Sequence, residues 1–261
     1  RACIVSPEYR CLRVERSEAG WAVVALNRPD QLNTLSIELR KEFDHALGQL
    51  EADPSVHVLI LTAHGKAFTA GLDLNDWEAG EAPAAEAYRW DPVASLQRFS
   101  GPVIAAVNGP AITGGLELVL ACDVILASDL ARFADTHVRV GLLPGWGGSV
   151  RLIERIGLMR AKELALTGRF FSAEEAQRWG LVSEVVPHAD LLSRARALAV
   201  QMLRARPEDL ARYKRLLDEG ARLAPVQAFA LERERSRALS ETVSAAELAQ
   251  RLAGLRADRS T

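Results

Sequence analysis

Hydrophobic positions follow two registers along this chain, short apolar runs in its first half and helical spacing in its second. Residues 12–27 read L-R-V-E-R and then W-A-V-V-A-L-N around Glu18-Ala19-Gly20, which predicts two strands joined by a turn. Arg28-Pro29-Asp30 ends the second strand. Ser36 suits a helix N-cap, and Leu39, Phe43, Leu47 and Leu50 recur on one helical face up to Asp53-Pro54. Residues 58–61 predict a buried strand. The pattern weakens over 75–98, where a mobile loop leading into a helix that reaches Phe99 is expected. Further strands are expected at 103–107, 124–127 and 131–134. Beyond P-G-W-G-G (144–148) the spacing predicts helices over 150–156, 161–166 and 173–179, with one short strand at 181–186. From Asp190 onward only helices are expected, over 191–203, 209–217, 226–239 and 245–255. The apolar faces of this tail (Leu191, Leu192, Leu198, Met202; Leu210, Leu216, Leu217) need a cover, from the core or from another subunit.

One stretch stands out, V-I-A-A-V-N-G-P-A-I-T-G-G-L-E-L-V-L-A-C-D over 103–123. A buried strand runs into a loop closed by Gly114-Gly115, and residues 116–121 suit a buried helix interrupted only by Glu117. Glycines at a helix start leave N–H groups without intrahelical partners, and the helix dipole favours negative charge there. Glu117 lies three residues after Gly114, on the same face, so an oxyanion donor and a carboxylate base can meet one small substrate. A packed turn with a buried, hydrogen-bonded glutamate fits the same pattern, but a lone glutamate among Leu116, Leu118, Val119 and Leu120 is costly to bury without a partner. F-T-A-G-L-D-L (68–74) is a second glycine turn after a strand.

Composition narrows the reading. The chain has 261 residues, 49% hydrophobic and 25% charged, an ordinary globular balance large enough for one sizeable core. A formal net charge of −2 gives no global argument for nucleic acid or a membrane surface, and charged residues interrupt every apolar stretch. The first ten residues lack the apolar core of a secretory signal. Three cysteines (Cys3, Cys11, Cys122) cannot all pair and none has metal-ligand spacing, so a reduced, cytoplasmic protein without a metal is expected.

Taken together, A-L-N-R-P, K-A-F-T-A-G-L-D-L, A-V-N-G-P-A-I-T-G-G-L-E-L-V-L-A-C-D, G-L-L-P-G-W-G-G-S-V-R-L and L-T-G-R-F-F-S-A-E-E-A-Q-R-W-G-L-V-S-E-V-V-P resemble, in order and spacing, the enoyl-CoA hydratase/isomerase (crotonase) family. The resemblance covers nearly the whole chain. It implies an α/β fold, a spiral of strand–strand–helix repeats over 1–190 carrying the coenzyme A thioester site. A C-terminal helical region over 191–261 would serve oligomerisation, as a homotrimer or a dimer of trimers. It implies an acyl-CoA substrate in fatty acid metabolism and no further cofactor, coenzyme A being part of the substrate. In that reading the N–H groups of Ala70 and Gly114 form the oxyanion hole. Lys66, Phe68, Ala70, Gly71, Leu72 and Asp73 line the coenzyme A groove. Arg28 and Lys66 are candidates for its phosphates, each equally a surface charge. Asp73 also fits a helix-start residue bonding nearby N–H groups. Trp146 either narrows the acyl pocket or packs. Where relatives carry a Phe and a Lys that complete a neighbour's site, this chain offers Leu252 and Arg256.

The hydratases of this family use two glutamates across one water. Glu117 matches the first; at the second, F-A-D-T-H-V-R-V-G-L-L-P places His137. Three readings stay open: an imidazole acid/base replacing the carboxylate, single-base chemistry (isomerase, decarboxylase or C–C hydrolase), or a structural histidine. If 131–137 is partly extended, Asp135 and His137 share a side and can pair. Hydration of a 2-enoyl-CoA by Glu117 and His137 is the leading reading. A non-catalytic acyl-CoA or RNA-binding relative is the alternative from another class.

Overall fold

A computed structural model describes residues 4–5, 9–78, 89–244, 246, 248–249 and 252. β2 (Leu12–Arg16) and β3 (Trp21–Leu26) pair antiparallel with Val14 opposite Val24, and Gly20 turns the chain between them at φ 97°. β1 (Ile4–Val5) pairs antiparallel with β2 at the edge. From β3 onward every neighbour is parallel. β4 (Val58–Ala63), β5 (Val103–Val107), β7 (Val124–Ser128) and β10 (Glu184–Val186) complete a seven-stranded sheet in the order β1-β2-β3-β4-β5-β7-β10. A small sheet, β6 (Ala111–Ile112), β8 (Arg132–Ala134) and β9 (Phe171–Ser172), lies in the order β6-β8-β9.

The strands read as unbroken apolar runs because both faces of the large sheet are covered. Val24, Leu26, Leu59, Leu61, Val103 and Ala105 point into one core with Leu39, Phe43, Leu47 and Leu50 of α1 (Ile37–Glu51). Their alternates Trp21, Val23, Val58, Ile60, Ile104 and Ala106 form a second core with Leu191, Ala195 and Ala199 of α9 (Leu191–Met202). Each fully buried Val, Leu, Ile or Phe among them contributes about 1.5–3 kcal/mol relative to exposure.

The local signals explain the helices. Ser36 Oγ caps α1 by accepting from Leu39 N at 3.2 Å. After α2 (Asn75–Glu78), Asp91 caps α3 (Pro92–Arg98). The loop expected between them includes 79–88, which lie outside the described residues. α4 (Gly114–Leu120) is buried throughout and begins at Gly114, two residues earlier than the apolar pattern suggests, since both glycines adopt helical geometry. α5 (His137–Val140), α6 (Gly148–Ile156), α7 (Leu158–Thr167) and α8 (Ala173–Arg178) follow. The strand expected over 181–186 shortens to β10. Leu181 N–H instead donates to Ala176 O at 2.9 Å, closing the end of α8.

The chain forms two compact units, Arg1–Leu210 and Ala211–Thr261. The first therefore extends past the residue-190 boundary suggested by the sequence, because α9 seats three buried residues under the sheet. α10 (Pro207–Gly220) runs from the first unit into the second, which continues with α11 (Pro225–Ser240). Tyr213, Leu217, Val226 and Phe229 on these helices are exposed. Of the helix expected over 245–255, only 246, 248–249 and 252 are described, all helical. Among the described residues no helix is long and apolar enough to cross a membrane.

Candidate active site

Strand β5 ends at Val107, and the chain passes through β6 into α4, so the large sheet and the small sheet together fix where this helix starts. Glu117 sits in its first turn and is only 3% exposed. Its Oε1 accepts from the N–H of Trp146 at 2.8 Å and of Gly148 at 2.9 Å. Those donors stand at the entry to α6, and only glycine allows the approach: a Cβ on Gly148 would lie 2.8 Å from Glu117 Cγ. Burial pushes the Glu117 carboxyl up from the ordinary carboxylate value; the Gly148 and Trp146 N–H groups and His137 pull it back without cancelling the rise.

Glu117 Oε2 faces His137 Nε2 at 3.6 Å. The other ring nitrogen, Nδ1, lies 2.6 Å from Asp135 Oδ1, which also accepts from His137 N–H at 3.2 Å. An ionised carboxylate can only accept, so Nδ1 carries a hydrogen and Nε2 is the nitrogen turned to Glu117. Asp135, His137 and Glu117 are thus a buried line of three titratable side chains, with Asp135 and His137 7% and 6% exposed. Asp135 and His137 do pair, but in a turn rather than along an extended strand: β8 ends at Ala134, Thr136 lies at φ −100° and ψ 11°, and His137 opens α5, so one carboxylate oxygen meets both its N–H and its ring.

The second glycine turn lies against α4. Gly71, at φ +94°, has its missing Cβ position 3.4 Å from Gly114 N and 2.8 Å from Ile112 O. Ala70 N–H, expected as an oxyanion donor, donates instead to Leu32 O at 3.0 Å. That bond occupies the Ala70 N–H. The N–H groups of Leu72 and Gly114 have no acceptor among the described residues, and Leu72 bridges Leu35 on the edge of the turn. The Trp146 ring closes the other side: a Cβ on Gly114 would meet its Cζ3 at 2.8 Å. The Arg40 guanidinium lies 5.9 Å from the same ring.

The remaining groove residues separate. Phe68 is fully buried, so its side chain belongs to the core. Asp73 takes Arg28 Nη1 at 2.9 Å, Thr34 Oγ1 at 2.8 Å and Asn75 N–H at 3.3 Å; the helix-start contact is present, but the larger role ties 28–34 to the turn. Arg28 Nη1 also donates to Thr34 O at 2.7 Å. Lys66 is exposed and borders a hollow with Pro29, Asp30 and Leu32. Away from the site, Cys11, Glu38 and Glu42 bring potential ligand atoms together. Burial, with Glu42 and Glu38 beside it, pushes the Cys11 thiol up to about 11. Sequence reasoning missed the Trp146 and Gly148 donors and the Leu72 N–H. The signal for the first two was P-G-W-G-G, whose second glycine after Trp146 exists to admit Glu117.

A mixed sheet, parallel from β3 onward and covered by helices, and a buried carboxylate at a glycine-opened helix start are the marks of a crotonase-type α/β fold. The chain belongs to the enoyl-CoA hydratase/isomerase family, whose model matches residues 16–256. It is 36% identical over 227 residues to a probable peroxisomal enoyl-CoA hydratase 1 of Arabidopsis thaliana, covering 87% of this chain and 86% of that one. It is also 36% identical over 223 residues to a short-chain-enoyl-CoA hydratase of Clostridium acetobutylicum, covering 83% and 85%. Among solved structures, an enoyl-CoA hydratase of Mycobacterium smegmatis superposes with a TM-score of 0.83 at 32% identity, over 96% of this chain and 97% of that one. The α/β spiral with a helical C-terminal region is therefore the fold of this family.

Proposed function

We propose that the protein is an enoyl-CoA hydratase-type lyase that adds water across the 2,3 double bond of an enoyl-CoA thioester. The observation that carries this is the buried Glu117 carboxyl, with Oε1 fixed by two backbone donors and Oε2 directed at His137 Nε2. Attack of water at C3 pushes the π electrons onto the thioester oxygen, which becomes an enolate. The Leu72 and Gly114 N–H groups are placed to meet it, each such donor contributing roughly 3–4 kcal/mol in comparable sites. Glu117 and His137 share one proton. The member holding it protonates C2 as the other takes the proton from water, and the 3.6 Å gap lets the pair reset afterwards. Asp135 fixes which ring nitrogen takes part. Trp146, over Gly114, narrows the acyl end.

Coenzyme A enters as part of the substrate, with Lys66 the exposed cation beside the hollow and Arg28 committed to Asp73 on one of its nitrogens. The uncovered apolar residues of α10 and α11 support assembly, read as a homotrimer or a dimer of trimers; sedimentation as a stable monomer would overturn that assembly. One observation favours a second reading. At 3.6 Å the two groups touch too closely for a water in line between them, which suits one shared base moving a double bond from the 3 to the 2 position. The test is a paired assay of wild type, Glu117→Gln and His137→Ala on crotonyl-CoA and on a 3-enoyl-CoA, with thioester binding confirmed for each. Hydration that collapses in both variants is expected. Isomerisation without hydration selects the second reading, and thioester binding without any turnover selects a binder.

A further inference from the structure

Thr113 links β6 to α4 with φ 55° and ψ −111°. A β-branched residue is strained in that region, because its Cβ substituents crowd the backbone, whereas glycine adopts it freely. Such strain persists only where surrounding contacts over-determine it, and it concentrates at functional sites. All three polar groups of Thr113 are engaged. Its N–H donates to Ala134 O at 2.8 Å, and its carbonyl accepts from Glu117 N–H at 3.0 Å. Its hydroxyl lies 2.7 Å from the Thr136 hydroxyl. Ala134 ends β8 and Thr136 immediately precedes His137, so two of these contacts reach the segment that carries Asp135 and His137. The residue after Thr113 is Gly114, whose N–H faces the Gly71 turn.

We propose that Thr113 and Thr136 form a hydroxyl latch that holds the Gly114 N–H and the His137 imidazole in one fixed register, and that both threonines are positioning residues of the thioester site. The inference rests on the reading of Gly114 as oxyanion donor and His137 as acid/base. The two backbone contacts of Thr113 survive any side-chain change. The hydroxyl pair is the one link that a substitution removes, and it joins the two turns by their side chains. A turn residue without this role would gain from Thr113→Gly, which relieves the strained φ, and would leave turnover untouched.

The experiment compares wild type with Thr113→Gly, Thr136→Val, the double variant, Thr113→Ser and Thr136→Ser. Steady-state kinetics on crotonyl-CoA are read beside amide hydrogen exchange at Gly114. Each of the first two variants should lower kcat about tenfold or more with KM within about threefold, as expected for lost positioning. The double variant should fall no further than the worse single one, because both remove the same bond. The serine variants, which keep the hydroxyl, should restore kcat to within about twofold. Gly114 N–H should exchange about tenfold faster in Thr136→Val than in wild type. Unchanged kcat in Thr113→Gly and Thr136→Val, or additive losses in the double variant, would overturn the latch. If wild type hydrates no enoyl-CoA, the functional reading fails while Gly114 exchange still decides the latch: equal exchange in wild type and Thr136→Val overturns it.

Discussion

Glu117 and Asp73 are both buried carboxylates that follow a glycine turn into a helix, with 3% and 5% of their surface exposed. Their surroundings send them in opposite directions. Burial pushes Asp73 up, but the Thr34 hydroxyl, the Arg28 guanidinium and the Asn75 N–H outweigh it and hold the group below the ordinary carboxylate range. Burial also pushes Glu117 up, and there the Gly148 and Trp146 N–H groups and His137 fail to outweigh it. Asp73 has a cation and a hydroxyl on one oxygen, so it is ionised and held as a strut. Glu117 spends its backbone donors on Oε1 and leaves Oε2 beside an imidazole, so it can exchange a proton. Residue type and burial alone do not distinguish scaffold from chemistry; the count and charge of partners do.

The widest separation between the two should appear in turnover. Glu117→Gln keeps an oxygen for the Trp146 and Gly148 donors and removes only the titrating group. Hydration of crotonyl-CoA should fall about 10²–10⁴-fold, with coenzyme A ester affinity retained. Asp73→Asn, read in the same assay, should act through folding and leave kcat of the folded fraction within about threefold. A comparable loss of kcat from both would erase the distinction.

Stability should show the reverse. Arg28→Ala removes the cation from a buried carboxylate and should cost about 2–4 kcal/mol at neutral pH by urea denaturation. The sign with pH follows from the depressed Asp73 value. The stability it lends is present above the ordinary carboxylate pKa and is lost as pH falls through the lowered one. The gap between Arg28→Ala and wild type should therefore narrow in acid. A gap that is constant with pH would mean that Arg28 acts through Thr34 O rather than through Asp73.

Most of this architecture is legible in the sequence because the signals are local. Ser36, the α1 stripe and the apolar runs of β3, β4 and β5 each name their element, and the strand-turn-helix order leads to Glu117. What is not legible depends on which backbone group bonds which. In F-T-A-G-L-D-L the letters suggest Ala70 as the donor, yet its N–H closes onto Leu32 O, a residue from a separate turn. Thr113 looks like an ordinary turn threonine until its φ of 55° is measured. His137 is visible as a departure and Asp135, two residues away, as its partner; the approach of its other ring nitrogen to Glu117 appears only once the chain brings α4 beside residue 137. The division of the chain at residue 190 shifts for a related reason: helical spacing in Leu191, Ala195 and Ala199 does not say which sheet face will cover it.

The smallest effect is also the one that tests the comparison at its root, the stability of Glu117→Gln against pH. With the native carboxyl raised above its unfolded value, the native state binds more protons than the unfolded one in the window between them. Stability then falls as pH rises through that window and stays lower at every higher pH. Glutamine carries no charge at any pH and can still accept from both backbone donors, so it escapes that loss. Urea denaturation at about pH 5 and about pH 8 should show Glu117→Gln gaining on wild type at the higher value, an inactive protein made more stable by losing its working group. If wild type instead gains on the variant as pH rises, the Gly148, Trp146 and His137 partners outweigh burial. Glu117 would then join Asp73 as an ionised strut, and proton exchange would have to rest on His137 and Asp135 alone.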